Sequence, residues 1–218
     1  MEERAIGLIL RTRPLTETSL IVQWLTPELG RIATVAKGAR RPKSPFRGKL
    51  DLFYECEFTF ARSRRSDLHN LREVRLRNTH SELRKELGWI EQASYATALI
   101  EQTTETETPL PGCYQMLEGF LTQLAVHAPQ LQSVFAFELK LLGELGLQPD
   151  PANSPLTPGA REVVKKLVSL DWKDIPSLKP SLVQTVEIQT YLQDFLLEHL
   201  GRVPTSRNGA LNMHAQRR

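Results

Sequence analysis

The residues with the clearest chemical capacity in this chain are cations. Residues 37–50 read KGARRPKSPFRGKL, so Lys37, Arg40, Arg41, Lys43, Arg47 and Lys49 fall in one run with no acidic residue among them. Three more, Arg62, Arg64 and Arg65, follow in ARSRRSD. Ammonium and guanidinium groups at this density suit charge-assisted hydrogen bonding to the phosphates of a polyanion. Single-strand binders combine such a basic groove with aromatic rings on which bases stack. Trp24 and Phe53 are read as strand residues and therefore first as core. Phe46, set between Pro45 and Arg47 inside the basic run, is the stacking candidate. If about six cations each neutralise one phosphate of a single strand, affinity falls with salt at a log–log slope of roughly −4. Contacts of this kind position a nucleic acid without specifying its sequence.

Other reactive residue types are scattered. His69, His80, His127, His199 and His214 stand at no metal-ligand spacing and read as structural or surface residues. Cys56 and Cys113 are too few for a disulfide framework or a four-ligand zinc site, and a reducing compartment suits them. The chain lacks the eight-residue frame of a phosphate loop and has no G-x-S-x-G. Glu105 and Glu107, in TTETETP, read as solvated acids, whereas Glu138 inside a helical stretch reads as a buried cap or ion-pair partner. No nucleophile is paired with a base. The expectation is a protein that is not an enzyme and uses no cofactor and no metal.

The elements that must present these cations change character near residue 80. Up to that point the chain holds 16 of the 28 Lys/Arg and 9 of the 25 Asp/Glu, a net of +7, which leaves −4 for the remainder. Such asymmetry assigns polyanion contact to the first part and a different task to the second. The period also changes. FYECEFTFA alternates, with Tyr54, Cys56, Phe58 and Phe60 on one face. RAIGLILR sets Ile6, Leu8 and Leu10 on one face, and TSLIVQWLT with GRIATVAKG flanks the turn PELG as a hairpin. DLHNLREVRLR alternates imperfectly through Leu71, Val74 and Leu76, as a bulge near Arg72 would produce.

Five short strands in so few residues bury best as a closed barrel, and the five-stranded solution of this size is the OB-fold. The basic run then joins the third and fourth strands, and Arg62, Arg64 and Arg65 join the last two, a connection OB-folds use for oligonucleotides. Beyond residue 80 the apolar period is helical in five or six stretches, the last ending at Gly201, with Gly146 as another C-terminal stop. Residues 149–159, PDPANSPLTPG, form a proline-rich connector, and the tail TSRNGALNMHAQRR reads as loose. The expected class is α+β and multi-domain: a five-stranded OB-fold barrel over 1–80, then an all-α bundle over 81–218. No stretch has the composition of a signal peptide or a membrane span, so a cytoplasmic, nucleoid-associated protein is expected.

Several of these segments carry a resemblance. GLILRTRPLTETSLIVQWLTPELGRIATVAKGARRPKS, GKLDLFYECEF and DLHNLREV in the first part, with FELKLLGELGLQPD and LQDFLLEHLGRVPTSR in the second, resemble the bacterial RecO family of recombination mediators. The stretch from Thr26 to Arg40, T-x-x-x-G-R-x-x-x-x-A-K-G-A-R, is the most specific. The resemblance implies an OB-fold followed by a helical domain, with binding of single- and double-stranded DNA. It also implies annealing of complementary strands without nucleotide hydrolysis. The implied partners are RecR and the single-stranded-DNA-binding protein, whose acidic C-terminal tail docks on the helical domain; RecA is loaded indirectly. Lys37, Arg40 and Arg41 fall on the family's basic motif. Lys140, Leu141 and Leu142 are candidates for the tail's docking site. Many members carry a four-cysteine zinc site after the LLxxLGxxP helix, but here that stretch is DPANSPLTPGA, without a cysteine. A protein-recruiting adaptor and an OB-fold RNA-binding module are the alternative readings.

Overall fold

A computed structural model describes residues 2–212. It comprises two compact units. The first runs to Ser81 and also takes up Thr104–Gln115, a segment that the change of period assigns to the helical part. The second holds Glu82–Thr103 and the chain from Met116 onward.

In the first unit five strands close a barrel: β1 (Glu2–Pro14), β2 (Leu20–Thr26), β3 (Gly30–Ala36), β4 (Glu55–Ala61) and β5 (Leu68–Asn78). Their order is β1-β2-β3-β5-β4, with β3 and β5 parallel through Ala33↔Leu68 and the other pairs antiparallel. β1 is long enough to pair with both β2 and β4, and an irregularity between Ile9 and Arg11 bends it. β4 alternates strictly between buried and half-buried residues. Glu73 pairs with Thr59 and Leu71 with Phe60, so Arg72 is the extra residue of a bulge, as the sequence implies. The second irregularity comes past Leu76, which is left exposed rather than buried with Leu71 and Val74. The interior takes Ala5 and Ile9 from β1, while Leu8 and Leu10 are also buried on the opposite face, so β1 does not show the polar alternation of a one-sided strand. Trp24 stacks on Phe58 with centroids 4.0 Å apart, and its indole donates to Thr34 Oγ1 at 2.8 Å.

The T-x-x-x-G-R motif has a structural cause. The Thr26 hydroxyl accepts from the Leu29 amide and donates to the Gly30 carbonyl, closing the β2–β3 turn. Gly30 adopts a φ of 67°, and a Cβ there would lie 2.0 Å from the Thr108 carbonyl oxygen, so both conformation and space require glycine. The Arg31 guanidinium donates to the Thr104 carbonyl and hydroxyl, and its backbone bridges to Thr106. These bonds hold residues 104–108 against the barrel.

The second unit contains α1 (Leu87–Thr103), the greater part of α2 (Pro111–Leu124), α3 (Leu131–Glu144), α4 (Pro158–Ser169), α5 (Leu182–Leu200) and α6 (Ser206–Leu211). Its core joins Phe135, Ala136 and Leu139 of α3 to Val164 and Leu167 of α4 and Ile188 and Leu192 of α5. The punctuation is local. Thr157 caps α4 ahead of Pro158, Ser181 and Gln184 form a capping box on α5, and Gly201 ends α5 at a φ of 70°. After α3, Gly146 takes a φ of 71° and the Leu147 amide returns to the Leu142 carbonyl.

The tail is not loose where it is described: α6 occupies residues 206–211, and Arg207 is buried. Arg207 donates twice to the carboxylate of Glu138, at 2.6 and 3.0 Å, and to Gln193 at 2.8 Å. The Tyr95 hydroxyl donates to the same carboxylate at 2.6 Å, which makes Glu138 the ion-pair partner its position suggests. Burial first, then the Glu138 charge, hold the Tyr95 phenol well above its ordinary pKa. His214 and the terminal arginines lie outside the described residues. No helix among the described residues is long and apolar enough to cross a membrane.

Candidate nucleic-acid interface

The connection from β3 to β4 carries the basic run and is built from consecutive turns rather than a helix. Amides of Ala39, Arg41, Ser44, Arg47 and Lys49 each return to the carbonyl three residues back. Gly38 and Gly48, at φ of 69° and 72°, take the left-handed positions this path requires. The loop is tied to the β1–β2 turn: the Arg40 amide donates to the Thr18 carbonyl at 2.9 Å, Arg40 Nη1 to the Thr16 carbonyl at 3.2 Å, and the Gly38 amide to Ser19 Oγ at 3.3 Å.

Phe46 corrects the expectation placed on it. Its ring lies in the barrel core at 6% exposure, so it anchors the loop and has no face free for a base. Trp24 and Phe53 are core as expected, although Phe53 occupies the turn before β4 at a φ of 69° rather than a strand. The single-strand recipe of cations with stacking rings is therefore reduced, at these positions, to its cations.

Lys37, Arg40, Arg41, Lys43 and Arg47 are exposed and Lys49 is half-buried. None of the six forms a salt bridge with a carboxylate among the described residues. Arginines on the strands are different: Arg4 pairs with Glu57 at 2.5 Å, Arg72 with Glu2 at 3.6 Å and Arg77 with Glu55 at 3.7 Å. The barrel thus neutralises these strand cations and leaves those of the loop facing water. Arg11 and Arg13, two apart on one face of β1 and both exposed, lead into the same β1–β2 turn.

The β4–β5 connection divides. Arg62 is engaged within the fold. It grips Glu3 through two bonds of 2.8 and 3.1 Å, meets Glu107 at 2.9 Å and lies 5.9 Å over the Phe60 ring. The Arg62 hydrogen bonds hold the Glu3 carboxyl below its ordinary range. Glu107, expected to be merely solvated, also meets Nε2 of buried His69 at 2.8 Å. The Ser63 amide donates to His69 Nδ1 at 3.3 Å, which leaves the proton of the neutral ring on Nε2 for Glu107. Only Arg64 and Arg65 of this cluster are exposed.

Lys140, Leu141 and Leu142 do not form a docking surface. Both leucines are fully buried, and Lys140 Nζ donates to the carbonyls of Val168 and Leu170 at 2.7 and 2.9 Å. It caps the C-terminal end of α4, where the helix dipole favours a cation, and stands 5.5 Å from the Trp172 ring. Burial lowers its pKa. The residues after α3 do not fit a zinc site either. Asp150 is used to cap Ala152, and the buried thiols Cys56 and Cys113 lie elsewhere, the pKa of the former pushed up to about 12 by burial.

A closed barrel in this strand order, with the cationic run of residues 37–50 in the connection between its third and fourth strands and a helical unit after it, defines a protein with an OB-fold followed by a helical domain. Family models described as Recombination protein O N terminal and Recombination protein O C terminal match residues 1–80 and 92–153. The chain belongs to the Recombination protein O family. Among its relatives are proteins named DNA repair protein RecO. That of Rhodopirellula baltica is 31% identical over 144 residues, covering 66% of this chain and 53% of the relative. That of Exiguobacterium sibiricum is 30% identical over 150 residues, 68% and 59% respectively. That of Myxococcus xanthus is 32% identical over 159 residues, 71% and 63%. The matched part of the chain thus spans between half and two thirds of these relatives' length.

Proposed function

We propose that this chain is a non-enzymatic DNA repair and recombination mediator that binds single- and double-stranded DNA and anneals complementary strands. In this reading it acts with RecR to help load RecA on DNA coated by single-stranded-DNA-binding protein. The observation that carries the reading is the loop of residues 37–49. Its cations are unneutralised and mostly exposed, on a backbone fixed by turns, by the buried Phe46 and by the bonds to Thr16, Thr18 and Ser19. A fixed array of positive charge holds two complementary strands together by screening their mutual repulsion, and base pairing then provides the sequence specificity. The naming of the relatives as DNA repair proteins supports the same assignment. Lys37, Arg40, Arg41, Lys43 and Arg47, with Lys49, Arg64 and Arg65, are the proposed phosphate contacts. Localisation to the nucleoid follows from the role.

The test is the rate at which complementary oligonucleotides anneal, read against salt. Acceleration that fades as salt rises supports the reading; no acceleration at low salt sinks it. Filter binding with matched single-stranded DNA and RNA distinguishes an RNA-binding module, which would retain the RNA preferentially.

A further inference from the structure

The helical unit leaves one apolar flank of its longest helix uncovered. α5 buries Ile188, Leu192 and Leu196, yet Leu182, Val183 and Val186 are 80%, 74% and 56% exposed. Leu182 and Val186 are one turn apart, and Val183 stands beside them on the same flank. Alongside lies a groove of about 460 Å³ whose apolar lining comes from Pro155, Leu156, Tyr191 and Phe195. Its charged lining is entirely acidic: Glu187, Asp194 and Glu198.

The acids are not equivalent. Glu187 accepts from the Thr157 amide and hydroxyl and so completes the cap of α4. Asp194 and Glu198, one turn apart, form no salt bridge among the described residues. Like charges at this spacing repel each other, and a cation placed between them relieves that repulsion. An apolar groove bordered by unmatched carboxylates disfavours phosphate and acidic peptide alike, and it complements apolar side chains interleaved with cations. The surplus of acids in residues 81–218 points the same way.

We propose that this face of α5 docks a cationic amphipathic segment of a protein partner. The partner's apolar side chains lie on Tyr191 and Phe195, and its lysines or arginines meet Asp194 and Glu198. The site is independent of the DNA-contacting loop and opposite to it in charge preference.

Fluorescence anisotropy with the full chain tests this. The probe is a dye-labelled helical peptide of leucine and lysine, and the control replaces each lysine with glutamate. The wild type is expected to bind the lysine peptide at least ten-fold more tightly than the control. The double variant Asp194→Lys/Glu198→Lys should invert that preference, Asp194→Asn/Glu198→Gln should abolish it, and Val183→Asp, in line with Asp194 along the helix, should weaken the lysine peptide about ten-fold. All three positions are surface-accessible, and an unchanged unfolding temperature verifies that the variants fold. Equal binding of the two peptides, failure of both to bind, or indifference to the charge reversal would overturn the proposal. So would sedimentation showing self-association that Val183→Asp removes, since a second copy would then cover the ridge.

Discussion

The Arg40 amide donates to the Thr18 carbonyl at 2.9 Å, joining the centre of the basic loop to the β1–β2 turn through backbone alone. The bond survives any change of the Arg40 side chain, so a variant that loses the Arg40 Nη1 bond to the Thr16 carbonyl keeps this backbone tie and, with it, the buried Phe46 anchor. Loop geometry and loop charge are therefore separable by mutation.

Phe46→Ala should destabilise the barrel by about 3–5 kcal/mol, the usual range for emptying a buried phenylalanine site. Phe46→Leu should lose much less and should bind single-stranded DNA as tightly as the wild type. Urea unfolding and DNA titration of both variants check this. A Phe46→Leu protein that is stable yet binds weakly would restore the ring as a base-stacking group.

Arg207→Ala leaves the Glu138 carboxylate buried beside Tyr95 without its counter-ion. A loss of about 3–5 kcal/mol of unfolding free energy is expected. Glu138→Leu/Arg207→Met, which removes both charges, should recover most of it. Denaturant melts decide the point: equal losses in the two variants would mean that packing, not the unmatched charge, sets the cost.

Glu3 titrates below its ordinary 4.5 because Arg62 holds its ionised form. The native state therefore binds fewer protons than the unfolded chain in that window, and the pair's stabilisation is present above pH 4.5. It is lost as pH falls through the lowered native value. Wild type should exceed Glu3→Gln in stability at neutral pH, and the two should converge in acid. Thermal melts from neutral pH to below pH 4 measure this; a constant gap would exclude the ion pair as its source.

Legibility in the sequence followed the number of faces an element buries. β4 packs one face, alternates cleanly and was readable. The bulge at Arg72 was readable because it breaks the same alternation. β1 buries both faces, so Ile6, Leu8 and Leu10 appeared as its core set, whereas the barrel interior takes Ala5 and Ile9. The helical bundle announced itself through period and through Gly201 and Gly146. The loop's cations were legible as composition, because charge density needs no partner to be recognised. Roles set by a distant partner were not: Phe46 reaches the core from a segment without periodicity, and Arg62 and Glu107 are 45 residues apart. Lys140 finds carbonyls of another helix, and Arg207 reaches Glu138 from a stretch whose composition is that of a solvated tail.

The central claim is that the exposed cations of residues 37–47 hold phosphates. The most direct test is the salt dependence of single-stranded DNA affinity for wild type and Lys37→Ala/Arg40→Ala/Arg41→Ala. Each lost phosphate contact should flatten the log–log slope by about 0.7, so the variant's slope should be shallower by about 2. Unfolding free energy should be nearly unchanged. A variant that is equally stable and keeps the wild-type slope would contradict the account.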